Sequence, residues 1–148
     1  MTAQPSAGYA GDITAVDGYL LLERDSSAIL VDVRTKAEWT YVGVPDLSAI
    51  GKKTVFLEWQ EFPSMAANGD FVAQLDNVLR ERGAGPDAPI IFICRSGARS
   101  RAAAIAMTRN GRRRCFNIDK GFEGPLDDKG RRGVLDGWKV RGLPWTQS

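Results

Sequence analysis

Pro89-Ile90-Ile91-Phe92-Ile93-Cys94-Arg95-Ser96-Gly97-Ala98-Arg99-Ser100 joins the most apolar run of the chain to a short, basic, glycine-bearing loop. Ile90 to Ile93 is too short for a helix, is rich in β-branched and aromatic residues, and predicts a strand buried on both faces. Ser100 to Arg109 is Ala-rich and ends at Asn110-Gly111, which predicts a helix with its stop signal. Cys94 therefore sits at the carboxyl end of a buried strand, immediately before a helix.

The same pattern continues in both directions. Ala28 to Val33 predicts a second buried strand, and Thr54 to Leu57 a weaker one. Asp70 to Arg82 places Phe71, Leu75, Val78 and Leu79 on one helical face and stops at Gly83 and Gly85-Pro86. Thr14-Ala15-Val16-Asp17 resembles a capping box and opens a helix through Leu20, Leu21 and Arg24. Cys115 to Ile118 predicts a last strand. Residues 1–11 read as a flexible N-terminal arm, leaving one domain over 12–148. The stretch from Gly121 to Ser148 is Gly-rich and polar, with Trp138 and Trp145 expected to pack it back onto the body. Alternating strands and helices predict an α/β fold with a mainly parallel central sheet flanked by helices on both faces. In such sheets sites lie beyond the carboxyl ends of the strands, where Cys94 is.

Composition narrows the chemistry. A chain of 148 residues, 43% hydrophobic and 26% charged, suits one globular domain. Histidine is absent, which excludes Ser-His-Asp triads, Cys-His pairs and His-based metal sites. Two cysteines, Cys94 and Cys115, are too few for a structural zinc site or a disulfide framework. The formal charge of +2 hides an asymmetry: residues 1–94 hold 7 basic and 13 acidic side chains, residues 95–148 hold 13 and 5. That imbalance points to nucleic-acid contact or to an anion site near the positive segment. No run reaches the ~20 apolar residues of a membrane span, and the first residues lack the features of a secretory signal. A cytoplasmic location is expected.

The loop supplies an activation principle that needs no histidine. Amides at a helix start carry positive partial charge, and a glycine lets several converge on one point. Arg95 and Arg99 add full charges. A thiolate at the centre is stabilised relative to an isolated cysteine, which makes Cys94 the candidate nucleophile.

With these residues in place, the chain resembles the rhodanese-like sulfurtransferase family. Cys94-Arg95-Ser96-Gly97-Ala98-Arg99-Ser100 is similar to the family's six-residue active-site loop. Leu30-Val31-Asp32-Val33-Arg34 with Glu38-Trp39 resembles its early strand and turn, and Gly121-Phe122-Glu123-Gly124, Gly137-Trp138-Lys139 and Gly142-Leu143-Pro144-Trp145 resemble its closing segment. The resemblance implies a sulfane sulfur passed from thiosulfate or a similar anionic donor to Cys94, and then, from the persulfide, to a thiol or cyanide acceptor. It implies that Arg95, Ser96, Gly97, Ala98 and Arg99 bind substrate, that two arginines favour thiosulfate, and that Asp32 and Arg34 support the loop from the neighbouring strand. A sulfur-relay protein is a further possible partner; no cofactor, metal, membrane or nucleic acid is expected. The chain departs from the family pattern at Gly43-Val44-Pro45-Asp46, where many members carry Gly-His-Ile-Pro-Gly.

Other features carry plainer readings. Arg112-Arg113-Arg114 follows a helix end and reads as a solvated, dipole-offsetting cluster rather than a nucleic-acid contact. Trp39 and Trp59 read as core or core edge. Cys115 begins its strand while Cys94 ends the previous one, about 13 Å of strand apart, beyond disulfide reach. Two alternatives to an enzyme of this kind are a persulfide carrier or regulatory module with little free turnover, and a Cys-dependent phosphatase or arsenate reductase. Against the latter, a Cys-x5-Arg loop places arginine six positions after the cysteine, whereas Arg99 comes five after Cys94. The stretch Asp127 to Gly133 is a polar insertion without an assigned role.

Overall fold

Ile90–Ile93 is a strand with all four side chains withdrawn from solvent, and it occupies the middle of the sheet. The computed structural model describes residues 8–147. In chain order the elements are β1 (Gly11–Ile13), α1 (Ala15–Arg24), β2 (Ile29–Asp32), α2 (Lys36–Tyr41), β3 (Val44–Pro45), a 3-10 turn (Ser48–Ile50), β4 (Val55–Phe56), β5 (Gln60–Glu61), β6 (Ala66–Ala67), α3 (Phe71–Glu81), β7 (Ile90–Ile93), α4 (Ala98–Arg109), β8 (Cys115–Ile118) and β9 (Trp145–Thr146). The main sheet runs β1-β8-β7-β2-β4, parallel throughout. Two short antiparallel pairs, β3 with β9 and β5 with β6, stand beside it.

Because strand side chains alternate, β7 feeds two cores. Ile90 and Phe92 join Phe71, Leu75 and Leu79 of α3 and Ala103, Ala104 and Met107 of α4. Ile91 and Ile93 join Ala15 and Leu22 of α1 with Phe122 and Trp138. Burying each β7 residue contributes about 1.5–3 kcal/mol, so this strand holds both helical layers to the sheet. Alanines in α4 let its backbone approach β7 and β8 closely while keeping high helix propensity.

Several boundaries differ from the sequence-based expectations. Of the arm expected over 1–11, residues 1–7 lie outside the described residues; beyond them Tyr9 is buried, Ala10 N–H bonds the Cys115 carbonyl, and Gly11 starts β1. The helix expected from Ser100 begins at Ala98, because Gly97 with φ +111° turns the chain into it. Helix α2 was not expected: it has six residues, none buried, so no apolar stripe announces it. Its signal is the capping box Thr35-Lys36-Ala37-Glu38, which is formed in full. At α1 only half the box forms, with Thr14 Oγ1 accepting from Asp17 N–H.

The Arg112–Arg114 cluster is not uniformly solvated. Arg112 is buried, donating to the Ala84 and Gly85 carbonyls and to Asp76, so it fastens the end of α3. Trp138 is buried as expected, and Trp145, although partly exposed, packs edge-on to Phe122 and secures the tail through the β3–β9 pairing. No helix among the described residues is long and apolar enough to cross a membrane.

Candidate active site

The parallel register brings Asp32 opposite Ile93 and Asn117 opposite Phe92, so the ends of β2, β7 and β8 converge where the chain enters Cys94. Cys94 is buried, and its Sγ accepts from Gly97 N–H at 3.1 Å. Helix α4 starts one residue later, so its first amides, which lack intrahelical acceptors, add to the positive field at the sulfur. Gly97 is required there on two counts. Its φ is +111°, and a Cβ would run into the Asp119 carbonyl oxygen.

The loop is held open from below. Phe122 N–H bonds the Cys94 carbonyl at 2.8 Å, and the Glu123 and Gly124 amides bond the Arg95 carbonyl at 3.0 and 3.2 Å. Turning these carbonyls away from the sulfur leaves the opposite side of the loop to amides. Gly121 permits the approach, since a Cβ there would lie 2.5 Å from the Cys94 and Arg95 carbonyl oxygens. The insertion 127–133 braces this layer: Gly133 N–H bonds the Glu123 carbonyl and Arg132 bonds that of Gly124.

A pocket of about 290 Å³ opens over Cys94, lined by Glu38, Gln60, Met65, Arg95, Ala98 and Arg99. A larger hollow of about 470 Å³ lies at the other end of the strands, by Ser26, Lys52 and Arg82, and holds no thiol. The β5–β6 hairpin, which supplies Gln60 and Met65 to the pocket, has strands of two residues each, too short to leave an alternating pattern in the sequence.

The expected substrate-binding residues are brought together but differ in availability. Arg95 and Ala98 are exposed, Ser96 is half-buried, and Gly97 is buried beneath the sulfur. Arg99 is committed to Glu38 through two contacts, Nη1–Oε1 at 2.7 Å and Nη2–Oε2 at 3.0 Å. Burial pushes the Glu38 carboxyl up, but Arg99, the Thr35 amide and Arg34 outweigh it and hold it below the usual carboxylate range. Burial likewise opposes the Arg99 charge, while Glu38, and then Cys94 and Asp32, raise its pKa above the usual guanidinium value. Glu38 thus belongs to the site, although the sequence reading assigned it no role.

Asp32 and Arg34 form a fully buried ion pair at 2.7 Å. They do not touch the loop amides. Arg34 donates to the Gly43 carbonyl at 2.8 Å and lies 4.2 Å from the Phe122 ring centre, where cation–π attraction compensates its unpartnered Nη1. The contact that leads from this pair toward Cys94 is Phe122, whose ring faces Arg34 and whose N–H bonds the Cys94 carbonyl. Ser100 and Asn117 also stand at the site, both buried; the signal for the second is a lone asparagine in an apolar strand, as conspicuous as Asp32. Trp39 and Trp59 pack edge-on to Phe56 and Phe71, at the core edge as expected.

Cys115 is free and buried, and burial pushes its thiol up to about 11 against smaller opposing effects of Thr108 and Arg112. That thiol stays protonated at neutral pH, consistent with an inert role.

Residues 15–126 match the family model of the rhodanese-like domain. An uncharacterized protein of Rickettsia conorii is 41% identical over 134 residues, covering 90% of this chain and 95% of its own length. The crystal structure of Rv0390 from M. tuberculosis superimposes with a TM-score of 0.83 at 45% identity, covering 95% of this chain and 99% of that one. The polysulfide-sulfur transferase homodimer of Wolinella succinogenes shares the fold, with a TM-score of 0.59 at 21% identity over 97% of this chain and 84% of that one.

Proposed function

Since the chain belongs to the rhodanese-like domain family, we propose that it is a sulfurtransferase that moves sulfane sulfur through a persulfide on Cys94. The Cys94 thiolate attacks the outer sulfur of thiosulfate or a similar donor. The donor S–S bond breaks, and sulfite leaves with the electron pair. A thiol or cyanide acceptor then attacks the terminal sulfur of the persulfide, and the Cys94 thiolate leaves. Both half-reactions need a stabilised sulfur anion. The observation that carries the reading is the Gly97 N–H held 3.1 Å from Sγ at the start of α4, beneath an open pocket. Arg95, exposed at the rim, attracts an anionic donor.

One observation favours a second reading, a persulfide carrier with little free turnover. Arg99 is already neutralised by Glu38, which opposes capture of a free dianion. Intact mass after incubation with thiosulfate tests the chemistry, with wild type, Cys94→Ser and Cys115→Ala compared. A gain of one sulfur that depends on Cys94 is expected. No adduct, or one that depends on Cys115, would overturn the assignment. Steady-state turnover with cyanide then separates enzyme from carrier.

A further inference from the structure

Behind Cys94 the polar contacts continue away from the pocket and across the sheet. Ser100 Oγ lies 3.1 Å from Cys94 Sγ and 2.5 Å from Asn117 Oδ1. Asn117 Nδ2 donates to Asp12 Oδ1 at 3.0 Å, and the same oxygen accepts from the Tyr9 hydroxyl at 2.6 Å. Asp12 is partly exposed and faces Arg101 at 3.6 Å. A line of contacts thus joins the buried sulfur to a carboxylate at the surface.

The chemistry of this line dictates its orientation. A carboxylate only accepts, so Asn117 turns its NH2 to Asp12 and its oxygen to Ser100. Between two oxygens 2.5 Å apart only the serine hydrogen fits. Ser100 has one hydrogen, and Asn117 holds it. Toward Cys94 the hydroxyl therefore presents lone pairs, which suit a thiol S–H and oppose a thiolate. Gly97 N–H acts in the opposite sense.

We propose that Ser100 is a further catalytic residue, a hydroxyl switch on the Cys94 sulfur whose resting position is set by Asn117 and Asp12. In the resting thiol the S–H donates to Ser100 Oγ and the Ser100 O–H donates to Asn117. When the S–H bond ionises and its proton leaves to solvent through the pocket, the hydroxyl hydrogen rotates from Asn117 Oδ1 onto Sγ; no covalent bond to oxygen breaks, but the hydrogen bond to Asn117 is given up and the two oxygens move apart. The thiolate then has two donors, Ser100 O–H and Gly97 N–H. In the persulfide the inner sulfur carries no charge, and the hydroxyl returns to Asn117. Ser100 so assists Cys94 when it attacks and again when it leaves. Asn117 and Asp12 are positioning residues. The inference rests on Cys94 being the reacting thiol of the proposed function.

Other charged groups bear on this line. On the loop side they are Arg99 with Glu38, and Asp32 with Arg34. On the Asp12 side they are Tyr9, Arg101, Asp119 and Lys120. All are present in each variant below, so their effects cancel in the comparison.

The test is the pH profile of iodoacetamide alkylation of Cys94 in wild type, Asp12→Ala, Ser100→Ala and the double variant. Removing Asp12 releases Asn117 and frees the serine hydrogen, so the profile moves to lower pH by about one unit, a tenfold change in the thiolate ratio. In the Ser100→Ala background the same change produces no shift. Equal shifts in both backgrounds would reduce Asp12 to a plain negative charge and overturn the switch; no shift in either would do the same. Asn117→Ala, which reaches Ser100 without touching Asp12, must also move the profile to lower pH, and a move to higher pH refutes the orientation. Alkylation needs no sulfur donor. Failure to form a persulfide would therefore sink the proposed function while leaving this test intact.

Discussion

Glu38→Gln releases the one cation of the loop that the fold holds in reserve. Glu38 Oε1 accepts from Arg99 Nη1 and also from Thr35 N–H, whereas Oε2 contacts Arg99 Nη2 alone. A glutamine with its oxygen in the Oε1 position keeps the first two contacts and the capping box of α2, which accepts Gln as well as Glu. It replaces the third with an NH2 group facing a guanidinium NH2. The loss is one charge-assisted hydrogen bond, ordinarily about 1.5–3 kcal/mol. The two side chains are 15% and 18% exposed, so the lower end applies, about 1.5 kcal/mol. An incoming dianion then no longer competes with a carboxylate for Arg99. The KM for thiosulfate should fall about tenfold with kcat little changed, while stability drops by about 1.5 kcal/mol. Initial rates against thiosulfate, with cyanide as acceptor, measure this in wild type, Glu38→Gln, Arg99→Ala and the double variant. An unchanged or raised KM, or the same fall when Arg99 is already alanine, would show that Arg99 is not the group Glu38 withholds.

The same ion pair makes a pH prediction. The Glu38 carboxyl is depressed in the folded protein, so its stabilisation is present above the unfolded value of about 4.3 and lost as pH falls through the folded value. Urea midpoints of wild type and Glu38→Gln should therefore differ at neutral pH and converge in acid; a gap that persists at low pH contradicts the pairing. Cys94→Ser should abolish sulfur transfer in a folded protein, whereas Cys115→Ala should keep most of it, since Cys115 remains protonated; thermal melts and turnover check both. Gly97→Ala meets the Asp119 carbonyl and adds left-handed strain of about 1–2 kcal/mol. It should lower the melting temperature and, by moving the amide off Sγ, reduce sulfur transfer by about tenfold or more; near-wild-type rates would show that this amide does not matter. Finally, p-nitrophenyl phosphate should be a poor substrate, because Arg99 follows Cys94 by five positions and is tied to Glu38. Cys94-dependent phosphate release faster than sulfur transfer would reverse the reading.

What the sequence determined by itself is the part written in neighbouring residues. The unbroken apolar run of β7, the face Phe71, Leu75 and Leu79 of α3, and the glycine-bearing turn after Cys94 are local patterns, and each appears in the fold within a residue or two. The place of the candidate nucleophile Cys94 was legible for the same reason: strand, cysteine, glycine and helix start are consecutive. Helix α2 left only its cap as a trace, because six residues with no buried face carry no periodicity. Partnerships between elements were not legible. Glu38 and Arg99 are 61 positions apart, and Asn117 meets Asp12 across 105. Such contacts depend on which strands become neighbours, and a parallel sheet leaves that to long crossovers rather than to short turns. The split of charge along the chain is the plainest case. Read linearly it suggested an anion partner, yet five ion pairs join the basic second part to the acidic first: Arg99–Glu38, Arg101–Asp12, Arg112–Asp76, Arg113–Asp87 and Arg114–Asp25. Much of the asymmetry is the chain's own complementarity, and only tertiary structure brings the two halves close enough for opposite charges to meet.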